Sequence, residues 1–270
     1  LIGSGAREHV VAETLKKNSE VLLYSYMKSK NPGIESLSGK IEIGDYDDFE
    51  LIRNFAVSVK PDFAFVGPEE PLANGAANLL EEAGIQSVGP KKELAKIESS
   101  KSFARKLLEE YRIKGNPKFG IFEKGNLNEA EGFMENLSGI VVKPDGLTGG
   151  KGVKVQGDHF STKEEALKYC EEVLDMHPCV VVEEKLDGEE FSLMCFTDGK
   201  TVAAMPPVQD HKRAFNDDRG MNTGGMGSYS CEDHLLPFLT KKDVADAYNI
   251  TKKAIKAIYG KTGQYFRGII

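Results

Sequence analysis

Residues Ile140 to Val155 read IVVKPDGLTGGKGVKV, and this stretch organises the chain. An apolar run, Ile140-Val141-Val142, ends in Lys143. A loop holding Gly146, Gly149, Gly150, Lys151 and Gly152 follows, and Val153-Lys154-Val155 then alternates like a strand. The pattern predicts a β-hairpin whose connection is too glycine-rich to be rigid by itself. Glycine lets backbone N–H groups approach a ligand closely and adopt positive φ, and clustered N–H groups form a nest for anions. With Lys143 and Lys151 beside them, the natural guest is a polyphosphate; an ordinary hairpin loop is the plainer alternative. The run is not a Walker loop, since no GxxxxGK[ST] opens a helix. It is not a dinucleotide fingerprint either, because a strand rather than a helix follows.

The surrounding composition sets limits. A chain of 270 residues suffices for two domains or one large one. A net charge of −7 argues against nucleic acid as a partner. No apolar run approaches the roughly 20 residues that span a bilayer, and no signal peptide is evident, so no membrane partner is expected. Cys170, Cys179, Cys195 and Cys231 show no CxxC and no zinc-like spacing, which fits a reducing cytoplasm. Leu1-Ile2 reads as the end of a strand and Phe266–Ile270 as the start of one. Chain is therefore expected beyond both ends.

Upstream of the hairpin, strands and helices alternate. Gly3-Ser4-Gly5-Ala6-Arg7-Glu8-His9 turns a strand into a helix whose N-terminus favours an anion. Arg7 supplies a bidentate phosphate partner, and His9 is either a ligand contact or helix packing. A strand over Val21–Tyr26, a helix near Asp48–Val59, a strand over Phe63–Val66, a turn at Gly67-Pro68-Glu69-Glu70-Pro71-Leu72 and a helix over Ala76–Ala83 follow. This order predicts parallel βα units, with ligands at the carboxyl ends of the strands. Both the Gly3–His9 and the Gly67–Leu72 turns fall there. Residues 1–98 are thus expected to form a Rossmann-like α/β domain presenting a phosphate-sized site.

Residues 99–270 are expected to form the second domain, with a smaller subdomain at about 115–186. Ser99-Ser100 caps a helix with Phe103, Leu107 and Tyr111 on one stripe. Lys101 lies in its first turn, where the dipole disfavours a cation, so it is either solvated or faces an anion. Ser161 and Glu164 read as the capping box of a helix to Leu174. Cys179–Val182 reads as a buried strand running into Glu183-Glu184-Lys185-Leu186-Asp187-Gly188-Glu189-Glu190. That is a suitable hinge for an adenine, with a carboxylate for ribose; a surface turn is the plainer reading.

A lysine at a helix start, a lysine entering a glycine flap and an acid-rich hinge, in this order, resemble the ATP-grasp superfamily. The resemblance implies ATP as cofactor, with phosphate contacts at Lys101, Lys143 and the flap residues Gly149, Gly150, Lys151 and Gly152. It implies adenine at Glu183 and Leu186, a further nucleotide contact at Glu184, and ribose at Glu190, with Glu189 a close competitor.

Two later runs narrow the choice. Gln209-Asp210-His211-Lys212-Arg213 gathers an acid, an imidazole and two cations beside Pro206-Pro207. Asn222-Thr223-Gly224-Gly225-Met226-Gly227-Ser228 reads as a glycine loop that lets a substrate reach the backbone. As bare chemistry these fit zwitterionic or phosphorylated substrates. Together with GSGAREH, GPEEPL and KPDGLTGGKGV they closely resemble the phosphoribosylamine–glycine ligase family over the whole chain. That resemblance implies an ATP-dependent ligase of purine biosynthesis joining glycine to 5-phosphoribosylamine through an acyl phosphate. The alternatives are another ATP-grasp ligase or carboxylase, or a nucleotide-binding fragment without catalysis.

By the same resemblance Lys143, Asp210, Lys212 and Arg213 border the reaction centre, and Gly5, Arg7, Glu8, His9, Pro68, Glu69, Asp210, Asn222, Thr223, Gly224 and Gly225 face the substrates. The family has glycine where Ala6 stands and proline where Met221 stands. Its Mg²⁺ (or Mn²⁺) ligands are expected beyond Ile270, so no metal ligand is assigned here. A monomer or weak dimer is expected.

Overall fold

The computed structural model describes residues 1–149, 152–217 and 219–270. They form two compact units, one of residues 1–96, 196–201 and 258–270, the other of residues 97–195 and 202–257.

The first unit opens with α1 (Ala6–Lys16), β1 (Tyr24–Met27), α2 (Pro32–Leu37), β2 (Lys40–Ile43), α3 (Phe49–Val59), β3 (Ala64–Phe65), α4 (Glu69–Asn74), α5 (Ala76–Glu82) and β4 (Ser87–Val88). β1 and β2 run parallel, as do β3 and β4. Ile2 makes parallel bridges to both Tyr26 and Val66, which joins the two pairs. Side chains alternate across a strand, and the burial follows. Tyr26 packs with Ile52, Phe55, Leu72 and Leu80 in one cluster. Leu23 and Met27 pack with Ala12 and Ile34 in another. Helices therefore cover both faces of a parallel sheet, the α/β arrangement expected for this region. Asp48 caps α3 by accepting from Leu51 N at 2.9 Å.

Two details differ. The strand expected at Val21 begins at Tyr24, leaving Leu22 exposed. The GPEEPL run is a turn only as far as Pro68; Glu69–Asn74 is helical, and Gly75, at φ 109°, breaks it from α5. Pro68 suits a helix start because its missing N–H needs no partner there.

After α6 (Lys92–Ser99) the second unit contains α7 (Lys101–Glu110), β5 (Phe119–Phe122), α8 (Asn128–Met134), β6 (Ile140–Pro144), β7 (Lys154–Val155), α9 (Lys163–Leu174) and β8 (Val180–Glu184). Ser100 caps α7 by accepting from Phe103 N at 3.1 Å. Leu107 is buried, but Tyr111 is the C-cap and exposed rather than part of the stripe. The sheet order is β5-β8-β6-β7, every neighbouring pair antiparallel. The glycine run thus joins two paired strands, with Val141 opposite Val155.

Ile140, Val142, Val180 and Val182 pack against α8 and α9 with Met134, Ala166, Cys170 and Val173. Period-2 alternation then sends Lys143 and Glu183 to the other face of the same sheet. The α9 capping box lies one residue later than expected. Thr162 Oγ1 accepts from Glu165 N, and Glu165 accepts from Thr162 N and Ser161 N. Ser161-Thr162-Lys163-Glu164-Glu165 offers two overlapping boxes, and the buried face of α9 is the same for either.

The chain continues with β9 (Cys195–Thr197), β10 (Val202–Ala204), β11 (Gln209–Phe215), β12 (Arg219–Tyr229), α10 (Lys241–Thr262) and β13 (Gly268–Ile269). The run Asn222–Ser228 is not a loop. It lies within β12, paired antiparallel to β11 with Asp210 opposite Ser228 and Arg213 opposite Asn222. Register shifts on either side of Arg213 absorb its irregularity. A cross-strand partner supplies the backbone bonds that a glycine run cannot recruit alone.

Candidate functional site

The second unit holds a compact ionic cluster. Glu183 is 2% exposed, and a carboxylate so buried requires partners. Its Oε1 accepts from Arg105 Nε at 2.6 Å, and its Oε2 accepts from Arg105 Nη2 at 3.2 Å. Lys143 Nζ lies 2.6 Å from the same Oε2. Burial pushes the Glu183 carboxyl up, but the Arg105 hydrogen bond and the Lys143 charge outweigh it and hold it below the usual glutamate value. Val141 is the cross-strand partner of Glu183, so Lys143 reaches Glu183 diagonally on one face of the sheet.

Lys101 belongs to the same neighbourhood. Its Nζ donates to Gly146 O at 2.8 Å, at the root of the flap. Burial lowers its pKa, Asp145 opposes that, the Lys143 ammonium lowers it further, and Glu183 raises it. The two lysines are therefore near enough to repel. Asp145 holds the flap root to the start of α7, accepting from Ser102 Oγ at 2.6 Å, Ser102 N at 3.1 Å and Ser100 Oγ at 3.1 Å. Burial pushes the Asp145 carboxyl up, yet these bonds hold it below its ordinary value.

Above this root the flap backbone is open. Gly146 and Gly149 adopt φ of 107° and 59°, and a Cβ at either would meet nothing within 4 Å. Gly152 is anchored instead, its carbonyl accepting from Tyr169 Oη at 2.7 Å. Gly150 and Lys151 lie outside the described residues.

The hinge acids divide. Glu184 accepts from Lys118 N at 2.8 Å, and Leu186 is exposed. Glu190 pairs with Lys212, which also lies 3.1 Å from Asp210. The hinge acid is thus connected to the QDHKR run through one lysine. Burial lowers the Lys212 pKa, but Glu190 and Asp210 outweigh it and raise the value overall. Glu189 accepts from Gln209 Nε2 at 3.1 Å. Arg213 points elsewhere, to Asp158 at 3.1 Å. Thr223 Oγ1 donates to Lys212 O and accepts from Gly225 N, tying the glycine run to the same strand. Asn222 pairs with Arg213, and Gly224 is exposed on β12.

The first unit brings a different set together at the carboxyl ends of its strands. Gly5 is the N-cap of α1, and its N–H donates to Glu8 Oε2 at 2.7 Å. Glu8 is 3% exposed and lies against Gly3, Gly5 and Gly67, with Oε1 buried and without a hydrogen-bond partner among the described residues. Pro68 follows Gly67, and Arg7 pairs with Glu69 at 3.2 Å. His9 packs its ring on Gly33 and lies 3.5 Å from Glu13.

Arg105 and Asp145 escaped the sequence reading. A signal existed for each: Arg105 lies four residues after Lys101, hence on the same helical face, and Asp145 follows Lys143 by two on one strand. Among the described residues no group of three or more His, Cys, Asp or Glu stands together as a metal site, and no helix is long and apolar enough to cross a membrane.

Residues 1–98 match the phosphoribosylglycinamide synthetase N domain, and residues 99–270 match the phosphoribosylglycinamide synthetase ATP-grasp (A) domain. A phosphoribosylamine–glycine ligase of Methanocaldococcus jannaschii is 50% identical over all of this chain and 62% of its own length. One from Methanopyrus kandleri is 47% identical over all of this chain and 61% of its own length. The crystal structure of the Thermotoga maritima phosphoribosylamine–glycine ligase superposes with a TM-score of 0.76 at 26% identity, over 99% of this chain and 62% of that one. The chain spans about 62% of the length of the relatives it matches. It belongs to the phosphoribosylglycinamide synthetase family, of which it carries the N domain and the ATP-grasp domain.

Proposed function

We propose that this chain is the nucleotide-binding and substrate-binding part of an ATP-dependent carbon–nitrogen ligase, which joins glycine to 5-phosphoribosylamine in purine biosynthesis. ATP phosphorylates the glycine carboxylate, the amine of phosphoribosylamine attacks the glycyl phosphate, and glycinamide ribonucleotide, ADP and phosphate leave. Residues 1–98 act as the domain for the ribosylamine phosphate and residues 99–270 as the ATP-grasp domain, with residues 115–186 as its lid.

The observation that carries this reading is the cluster of Lys101, Lys143 and Arg105 facing Glu183 and Asp145, at the root of an open glycine flap. Three cations meet two carboxylates there, and the surplus positive charge suits a triphosphate. Lys101 and Lys143 hold the phosphates, exposed flap amides complete the cradle, and the hinge from Glu183 to Leu186 meets the adenine. Glu190 serves the ribose once Lys212 turns toward the reacting carboxylate.

An acyl phosphate must be kept from water, which gives a closing flap its purpose. Catalysis is then chiefly positioning and charge neutralisation. Mg²⁺ (or Mn²⁺) would accompany the triphosphate and neutralise its charge; among the described residues no group of three or more His, Cys, Asp or Glu stands together to hold it. Glu8, Gly5, Arg7, His9, Pro68 and Glu69 face the ribosylamine. The enzyme works in the cytoplasm as a monomer or weak dimer.

Measuring ADP formation with glycine and phosphoribosylamine omitted in turn, on this chain restored to the full length of its relatives, tests the reading. ADP that needs both substrates supports it. ADP that needs bicarbonate instead identifies a carboxylase, and nucleotide binding without turnover under any substrate leaves a binding fragment.

A further inference from the structure

Lys143 has two claims upon it. In the structure its ammonium sits on the buried Glu183 carboxylate at 2.6 Å, whereas the proposed function requires it to meet a phosphate. A carboxylate buried to this extent does not release a sole counter-ion readily, because the charge left behind would be unpaired in a low-dielectric setting. Arg105 changes that balance. It grips both oxygens of Glu183 in the planar bidentate mode that suits a guanidinium. Arg105 is itself held in place: Asn116 Nδ2 donates to its carbonyl at 3.0 Å. It also shares its helical face with Lys101.

We infer that Arg105 is a positioning residue for the nucleotide site: as the permanent partner of Glu183, it frees Lys143 to exchange that carboxylate for a phosphate. The inference rests on the nucleotide-binding reading above and adds a role for a residue that never touches the ligand. Glu183 then serves as a parking place that keeps Lys143 aimed until a phosphate takes its place. Without Arg105 the same carboxylate becomes a trap.

The consequence is specific to phosphate. Arg105→Met should weaken ATP binding about tenfold or more, while adenosine, which has no phosphate for Lys143, changes by less than about twofold. Arg105→Lys restores part of the loss, since an ammonium satisfies one oxygen but lacks the fork. The double variant Arg105→Met with Glu183→Gln removes the trap together with its keeper and should bind ATP more tightly than Arg105→Met alone. Titration calorimetry with ATP and with adenosine on the whole chain reads the three variants beside wild type.

Equal losses for ATP and adenosine would show a merely structural role and overturn the inference, as would an unchanged ATP affinity in Arg105→Met. The double variant removes the buried carboxylate together with its guanidinium, so it keeps the test open should Arg105→Met fail to fold. In that case, double-variant ATP affinity far below wild type with adenosine unchanged would overturn the inference, and near-wild-type affinity would support it. Wild-type chain that binds adenosine and ATP equally would instead sink the nucleotide reading itself.

Discussion

The Lys101 ammonium donates a 2.8 Å hydrogen bond to the carbonyl of Gly146, so the first turn of α7 is tied directly to the root of the glycine flap. Asp145, one residue earlier, ties the same two segments from the opposite polarity by accepting from Ser100 and Ser102. Helix start and flap root therefore move together. On the proposed reading, a triphosphate arriving under the flap would meet Lys101 already in place, with only the Gly146 carbonyl to displace.

The first prediction concerns pH. Burial lowers the Lys101 pKa, and the nearby Lys143 charge adds to that, so Lys101 loses its proton below the ordinary lysine value of about 10.4. Its charge is complete at lower pH and is lost as pH rises. ATP affinity should accordingly weaken between neutral and alkaline pH, and Lys101→Met should bind weakly with that limb flattened. Calorimetric titrations across this range check it; an unaltered limb in Lys101→Met would assign it to another group.

Acid should act through Asp145 and Glu183. Both carboxyls are held below their usual values in the folded chain. Their contribution to stability is then complete above the unfolded carboxylate range of about 4 and is lost as pH falls through the lower folded values. Asp145→Asn should cost about 1–3 kcal/mol at neutral pH, the penalty for weakening a buried hydrogen-bonded group. It should also make the loss below pH 4 shallower, as read by urea unfolding at a series of pH values.

Tyr169 anchors the returning strand of the flap twice. Its hydroxyl donates to Gly152 O at 2.7 Å, and Lys154 Nζ stands 3.6 Å over its ring. Tyr169→Phe should lose only the hydrogen bond, about 0.5–1.5 kcal/mol. Tyr169→Ala should lose more, namely the cation–π contact, worth about 0.5–1 kcal/mol at an exposed site, and the packing of the ring against the core beside α9. Chemical denaturation separates the two, and equal losses would show that the ring contact contributes nothing.

In the first unit, Gly67 is closed to any side chain. A Cβ there would overlap the buried Glu8 carboxylate, and such overpacking typically costs about 1–3 kcal/mol. Gly67→Ala should lower stability by that amount and, on the proposed assignment, weaken binding of ribose 5-phosphate while ATP binding is kept. Thermal unfolding and two binding titrations read the outcome; unimpaired ribose 5-phosphate binding would move the substrate phosphate away from this turn.

Much of this was legible in the chain because it was local. The apolar run into Lys143, the glycines after it and the alternation to Val155 specify a hairpin by backbone chemistry alone. Ser100 before a period-3.6 stripe specifies the start of α7, and so places Lys101. Where local signals overlapped, the reading slipped. Ser161 and Thr162 both offered a capping box, and the folded helix uses Thr162. Asn222–Ser228 looked like a loop because nothing in that run shows that β11 lies alongside it.

The order of elements, the flap and the lysines that flank it were determined by the sequence itself, since each depends on residues within a few positions of one another. Which carboxylate each cation meets was decided only by tertiary structure. Glu183 lies 78 residues from Arg105 in sequence, and nothing short of the folded sheet tells that its side chain turns inward, away from water. Once there, the cost of leaving it unpaired recruits Arg105 and Lys143, and the electrostatics of the site follow from that burial.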